Sequence, residues 1–172
     1  MTERFSAAVE WLPFDLHPEY PPEGIPRAQL VARYGPDGIA RTAASFERSG
    51  LAYDPNPDVV PNTMSALRLT EHARAQGLHE PFHDRLMDAY WAEAQNIGDP
   101  DVLRALADEV GVTGADDVLA GDTYADDVRR STAEAHSIGI SGIPAFLLDR
   151  RLLVLGAHPK TTFEQAFAQL QA

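Results

Sequence analysis

The chain has 172 residues, a net charge of −12, 44% hydrophobic residues and no cysteine. That length and apolar share suit one domain with a proper core. The acidic balance repels a phosphate backbone and argues against nucleic acid as a partner, and zero Cys rules out a disulfide framework, a thiolate zinc site and thiol catalysis by these residues. No apolar run approaches the ~20 residues of a membrane span, and Met1 to Ala8 lacks an apolar signal segment, so no membrane association is expected and the predicted localisation is cytoplasmic.

Val9 to Leu16 reads as a strand rich in aromatic and branched residues, closed by His17-Pro18; Pro13 cannot donate to a ladder and places it at a sheet edge. Glu19 to Pro26 is a Pro-rich loop. A short helix from Pro26 to Tyr34 stops at Gly35-Pro36, and a second runs from Asp37 to Ser49 with Ile39, Ala43 and Phe46 on one stripe. Tyr53 to Pro61 is irregular around Asp54-Pro55-Asn56-Pro57-Asp58. Asn62-Thr63 opens a helix to about Gln76. Pro81 to about Asn96 is strongly amphipathic, with Phe82, Leu86, Ala89 and Tyr90 recurring at helical spacing. Asp99-Pro100 forms a cap-plus-first-residue pair for a helix that Gly111 ends. A short turn of helix falls near Asp116 to Leu119, and Asp122 caps a helix to about Ile138.

Ser141-Gly142-Ile143-Pro144 reads as a tight turn: Gly142 permits an unusual backbone angle, and Pro144 fixes φ and gives no N–H. Ala145 to Leu148 is apolar at every residue, which suits a strand covered on both faces. Asp149-Arg150-Arg151 turns the chain into Leu152 to Leu155, and Gly156 ends that run. Thr161 and Thr162, each with an acid or amide three residues on, match a capping box for the last helix. The order strand, helices, hairpin, helix predicts an α/β architecture, a single domain over residues 1–172 in which residues 26–139 form a large helical insertion.

Several strings invite a chemical reading. His79-Glu80-Pro81-Phe82-His83 matches the zinc-protease pattern H-E-x-x-H, but Pro81 disfavours helix at Glu80 and is best placed as the first helical residue. That makes His79 a cap-region residue, and no metal site is expected. Gly139-Ile140-Ser141-Gly142 falls short of a nucleophile elbow because Ile143 stands where glycine is needed. The pairs Asp116-Asp117 and Asp126-Asp127 do not converge on one helix face and read as solvated surface. His17 and His158 flank strand ends and read as surface or polar core positions rather than proton shuttles. No residue qualifies as catalytic, and no cofactor is expected.

Glu10-Trp11-Leu12-Pro13-Phe14-Asp15-Leu16-His17-Pro18, Val60-Pro61-Asn62-Thr63 with Ala66-Leu67-Arg68-Leu69, Ser141-Gly142-Ile143-Pro144-Ala145-Phe146 and Gly156-Ala157-His158-Pro159 stand in the order and spacing of one family. Together they resemble the DsbA-like thioredoxin family, specifically its cytoplasmic FrnE-type disulfide oxidoreductase branch. The sister branch of glutathione-dependent isomerases usually carries a Trp-Gly and a Gly-x-Asp-Arg pattern where this chain has Leu155-Gly156-Ala157-His158. The resemblance implies a thioredoxin-like fold, a cis bond before Pro144, and contact of Gly142, Ile143, Pro144 and Asn62 with an extended peptide or protein client. It also implies a strand and a Cys-x-x-Cys helix ahead of Val9, and only eight residues precede Val9, so the chain reads as N-terminally truncated. The expected function is therefore membership of a thiol–disulfide oxidoreductase family in a form inactive as a thiol catalyst. The alternative is a non-catalytic client-binding or interaction protein, able to form homo-oligomers through exposed strand edges. A relative of glutathione-dependent isomerases or transferases is the weaker alternative.

Overall fold

In the computed structural model, which describes residues 5, 7–54 and 58–171, the elements in chain order are β1 (Ile25–Pro26), α1 (Arg27–Ser49), β2 (Val59–Val60), α2 (Met64–Ala75), α3 (His79–Trp91), α4 (Pro100–Val110), α5 (Ala115–Ala120), α6 (Ala125–Ser137), β3 (Ala145–Leu148), β4 (Leu152–Leu155) and α7 (Lys160–Gln171). The chain divides into two units. One is His17–Arg129; the other joins Met1–Leu16 to Arg130–Ala172. None of the described helices is long and apolar enough to cross a membrane.

The first unit is helical, and its helix ends follow local chemistry. Asp99 accepts from the Asp101 N–H (2.8 Å) ahead of Pro100, and Gly111 closes α4 in the left-handed region at φ 84°. α1 is broken at Gly35 (φ 71°, ψ 168°), where Gly35-Pro36 separates the two expected helices. The side chain of Ile39 and residues 55–57 of the expected Asp54 to Asp58 turn lie outside the described residues. The apolar stripes of α2, α3, α4 and α5 meet in one core around the fully buried Leu69, Phe82, Leu103 and Leu106.

Within that core edge, Arg68 is 94% covered. Its guanidinium donates to the Val118 and Gly121 carbonyls, and its Nε donates to the Thr123 carbonyl (2.9 Å). A buried cation here satisfies orphan carbonyls in the last turn of α5 and in the loop after it. Gln76 pairs with the Thr113 backbone through both ends of its amide, donating to the carbonyl (2.9 Å) and accepting from the N–H (3.1 Å), which pins the end of α2 to the α4–α5 loop.

Two features of this unit depart from the expectations above. β1 and β2 pair antiparallel, Ile25 with Val60 and Pro26 with Val59, inside stretches read as loop. Gly24 makes the approach possible: it takes φ 77°, and a Cβ there would lie 2.5 Å from the Val60 carbonyl oxygen. Second, α3 begins at His79, two residues before Pro81. The first N–H groups of a helix have no intrahelical acceptor, so a proline at the third position forfeits no bond. The Phe82 N–H then pairs with the Leu78 carbonyl (3.1 Å). The placement of His79 outside the helix is corrected accordingly.

In the second unit β3 and β4 form an antiparallel hairpin with Ala145 opposite Leu155, Phe146 opposite Val154, Leu147 opposite Leu153 and Leu148 opposite Leu152. Asp149 and Arg150 both take positive φ (49° and 52°), and the Arg151 N–H bonds the Leu148 carbonyl (3.0 Å), the geometry of a primed turn. Phe146, Leu148, Leu152 and Val154 pack against Phe163 and Ala166 of α7, with the Phe146 and Phe163 rings edge to face at 4.8 Å. On the opposite face, among the described residues, Leu147 is 46% and Leu155 48% exposed. The expectation of a strand buried on both faces is thus corrected to one covered face.

Val9 to Leu16 is likewise not a strand. A strand exists only through ladder partners, and this segment bonds to α6 side chains instead. The Asp15 N–H donates to Thr132 Oγ1 (2.9 Å), Ser131 Oγ donates to the Pro13 carbonyl (2.7 Å), and Phe14 meets His136 edge-on at 5.3 Å. Trp11 and Leu12 remain exposed.

Candidate functional site

The loop from α6 to β3 is fastened at both ends. At its start Gly139, at φ 90°, donates to the His136 carbonyl (3.0 Å), and the Ile140 N–H donates to the Ala135 carbonyl (3.0 Å). This pair of bonds is a Schellman closure, and it buries Ile140. At its end the Pro144 carbonyl accepts from the Gly156 N–H (2.7 Å), beyond the last ladder pair of the hairpin. His158 Nε2 donates to the Leu155 carbonyl (2.8 Å), closing the same mouth from the β4 side.

Between the two fastenings the Ile143–Pro144 peptide bond is cis. Ser141, Ile143 and Pro144 are exposed, with Ile143 open over 59% of its surface. The left-handed residue of the loop is Gly139 rather than Gly142. Gly142 has no positive φ, and a Cβ built on it meets nothing within 4 Å. The unusual backbone angle expected at Gly142 is therefore corrected: the helix terminus needs the glycine, and the turn before Pro144 does not. Gly142, Ile143 and Pro144 form one continuous, accessible surface at the hairpin mouth.

Asn62 belongs to the helical unit. It stands one residue ahead of the Thr63 cap of α2. Its Oδ1 accepts from the Met64 N–H (3.0 Å) and its Nδ2 donates to the Tyr20 carbonyl (2.7 Å). Gly98 lies against it; a Cβ there would sit 3.0 Å from the Asn62 carbonyl oxygen. Both ends of the amide thus bond to backbone, tying the segment around Tyr20 to the start of α2. His17 is similarly occupied, through Glu19 (3.0 Å) and by stacking on Tyr20 at 4.4 Å. A backbone hydrogen bond and then His17 hold the Glu19 carboxyl below its ordinary pKa.

Asp116 pairs with Arg104 (2.5 Å) and Asp126 with Arg129 (3.0 Å), as solvated ion pairs do. Among the described residues no three His, Cys, Asp or Glu side chains converge as a metal-binding group. The signal that sequence reasoning passed over is the second hairpin face. Alternation is invisible in two runs that are apolar at every position, so the exposure of Leu147 and Leu155 had no signature.

A proline loop that follows a helix terminus, enters a hairpin and is backed by a C-terminal helix is the rear half of a thioredoxin-type protein. The sequence matches the DSBA-like thioredoxin domain over residues 1–168, and the chain belongs to that family. It is 31% identical over 167 residues to an uncharacterized protein of Bacillus subtilis (strain 168), YwbO, an alignment covering 95% of this chain and 82% of that protein. The crystal structure of a probable DsbA oxidoreductase from Streptomyces coelicolor superposes with a TM-score of 0.82 at 32% identity, covering 91% of this chain and 72% of that one.

Proposed function

We propose that this DsbA-family chain binds an extended, apolar polypeptide along the Ile143–Pro144 loop and the adjoining hairpin, and that its own 172 residues carry out no thiol–disulfide exchange. The observation that supports the reading is the pairing of an exposed apolar mouth and face (Ile143, Leu147, Leu155) with a composition that contains no Cys. Thiol exchange requires a thiolate to attack a disulfide sulfur, and neither serine nor threonine replaces it. An extended client can instead add backbone hydrogen bonds at a sheet edge and seat alternate side chains on the apolar face. Gly142 leaves room beside the loop for such a backbone. The cytoplasmic FrnE-type branch is the part of the family favoured by the Leu155 to His158 pattern, with the helical residues 26–139 as an insertion in one domain.

Two measurements test it. In an insulin reduction assay with dithiothreitol, the protein is expected to leave the turbidity rate at that of buffer, and acceleration would refute the non-catalytic half. Fluorescence anisotropy with a labelled unstructured apolar peptide is expected to show saturable binding that Ile143→Asp weakens by about tenfold or more, since one buried anchor is worth over 1 kcal/mol. Equal binding by the variant would refute the docking half. A second copy is the competing occupant, favoured by the open hairpin edge; concentration-dependent sedimentation that Ile143→Asp abolishes would select it.

A further inference from the structure

The hairpin turn carries an arginine where its backbone favours glycine or asparagine. Arg150 takes φ 52° next to Asp149 at 49°, in the left-handed region that other side chains enter at a cost. Strain held at an exposed turn points to use of the side chain. Arg150 is exposed and forms no ion pair among the described residues, whereas Arg151 reaches Asp149 at 3.7 Å. At the mouth of the hairpin, Lys160 begins α7, exposed and likewise without an ion pair among the described residues. His158 is already engaged there by the Leu155 carbonyl (2.8 Å). Residues 135–163 hold three basic and one acidic side chain, so this stretch carries +2 in a chain of −12.

We propose that the polypeptide taken by this surface is an apolar stretch of about five residues bounded by carboxylates, one meeting Arg150 at the turn and the other Lys160 at the mouth. It rests on the hairpin binding an extended apolar segment, as proposed above, and adds the charge pattern that sorts one such segment from another.

The length follows from strand geometry. From Ala145 to Arg150 the chain advances roughly 17 Å, at about 3.4 Å per residue. An extended segment laid along the hairpin covers that span with about five residues, and its alternate side chains meet the face that holds Leu147 and Leu155. No residue of β3 or β4 is charged, so discrimination by charge falls to the two ends. The acidic remainder of the chain does not forbid an acidic client. Exposed charges are screened over about 8 Å at physiological salt, so at contact the nearest cations decide. Each exposed ion pair is worth about two- to fivefold in affinity.

Fluorescence anisotropy with the whole chain tests this. Three labelled peptides share one apolar core of alternating valine and leucine and differ only in carrying glutamate, glutamine or lysine at both ends. At about 50 mM salt the glutamate peptide is expected to bind about fivefold to tenfold tighter than the glutamine peptide, and the lysine peptide weakest. At about 1 M salt, where screening acts within about 3 Å, the three are expected to converge. Arg150→Gly is expected to cut the glutamate advantage about two- to fivefold, and glycine adopts φ 52° without strain, so this variant keeps its fold. Lys160→Gln is expected to cut it by a similar factor. Equal binding of the glutamate and glutamine peptides would overturn the proposal while leaving binding at the hairpin intact. So would a glutamate advantage that neither variant moves, which would place the cations elsewhere. Saturable binding of none of the three would overturn the reading beneath the proposal, and the proposal with it. A dimer in sedimentation that the glutamate peptide fails to dissociate would give the surface to a second copy and overturn it too.

Discussion

The helical unit, His17–Arg129, carries nine basic and twenty acidic residues, whereas the unit formed by residues 1–16 and 130–172 carries five and six. The apolar surface is divided the other way. Val9, Trp11, Leu12, Leu16, Ile138, Ile143, Leu147 and Leu155 are exposed in the nearly neutral unit, against Leu51 alone in the acidic one among the described residues. The contrast separates two tasks. In the helical unit, charge keeps the surface wet while four helical stripes close one core. In the hairpin unit a single helix packs on one face of the hairpin, and Leu147 and Leu155 stay about half exposed on the other. The larger buried core lies in the helical unit, and most of the exposed large apolar side chains lie in the hairpin unit.

The largest expected effect probes that division directly. Phe82→Ala empties the fully buried centre of the helical unit and is expected to cost about 3–5 kcal/mol. Leu147→Ala on the open hairpin face is expected to stay within about 0.5 kcal/mol. Urea denaturation of both variants checks the pair, and comparable losses would erase the distinction.

Arg68→Met comes next. It keeps the apolar stem and leaves the Val118, Gly121 and Thr123 carbonyls without their donor, for an expected loss of about 2–3 kcal/mol. A loss under about 0.5 kcal/mol would mean that water takes over all three acceptors.

The smallest effect is on pH dependence. The His79 pKa lies below its ordinary value of 6.5, chiefly through burial, so near that pH the unfolded chain holds more protons than the folded one. Stability is then full above pH 6.5 and declines as pH falls through the lower, folded value. Thermal midpoints between neutral and mildly acid pH are expected to drop, with a shallower drop in His79→Gln. An identical slope in the variant would remove His79 from the account.

The helical unit was largely legible from residue order. Asp99-Pro100 and Gly111 mark α4 at both ends, and the Phe82, Leu86 and Ala89 stripe marks the buried side of α3, because caps and 3.6-residue periodicity are local properties. The errors fall where a non-local partner decides. Val9 to Leu16 has the composition of a strand, yet Ser131 and Thr132 supply its bonds. Pro81 reads as a helix start only if the unpaired N–H groups of the first turn are forgotten. Thr161 and Thr162 match a capping box, yet α7 already begins at Lys160. The pair β1–β2 is two residues per strand, too short for any period to show.

For the candidate site, the residues at the hairpin mouth were readable as a string, from Ser141 to Phe146, because a proline turn feeding an apolar run is contiguous. Which glycine bears the left-handed angle was not, since that follows from where α6 stops.

By itself the sequence determined the helix ends, the apolar stripes, the hairpin turn and the absence of a thiol, all of which depend on residues within a turn or two of one another or on composition. The tertiary structure alone decided which hairpin face is covered, that Val9 to Leu16 bonds to a helix, and that Arg68 is spent on backbone carbonyls. Each of those depends on which groups from distant parts of the chain arrive to satisfy a hydrogen bond or exclude water, and local propensity does not encode that.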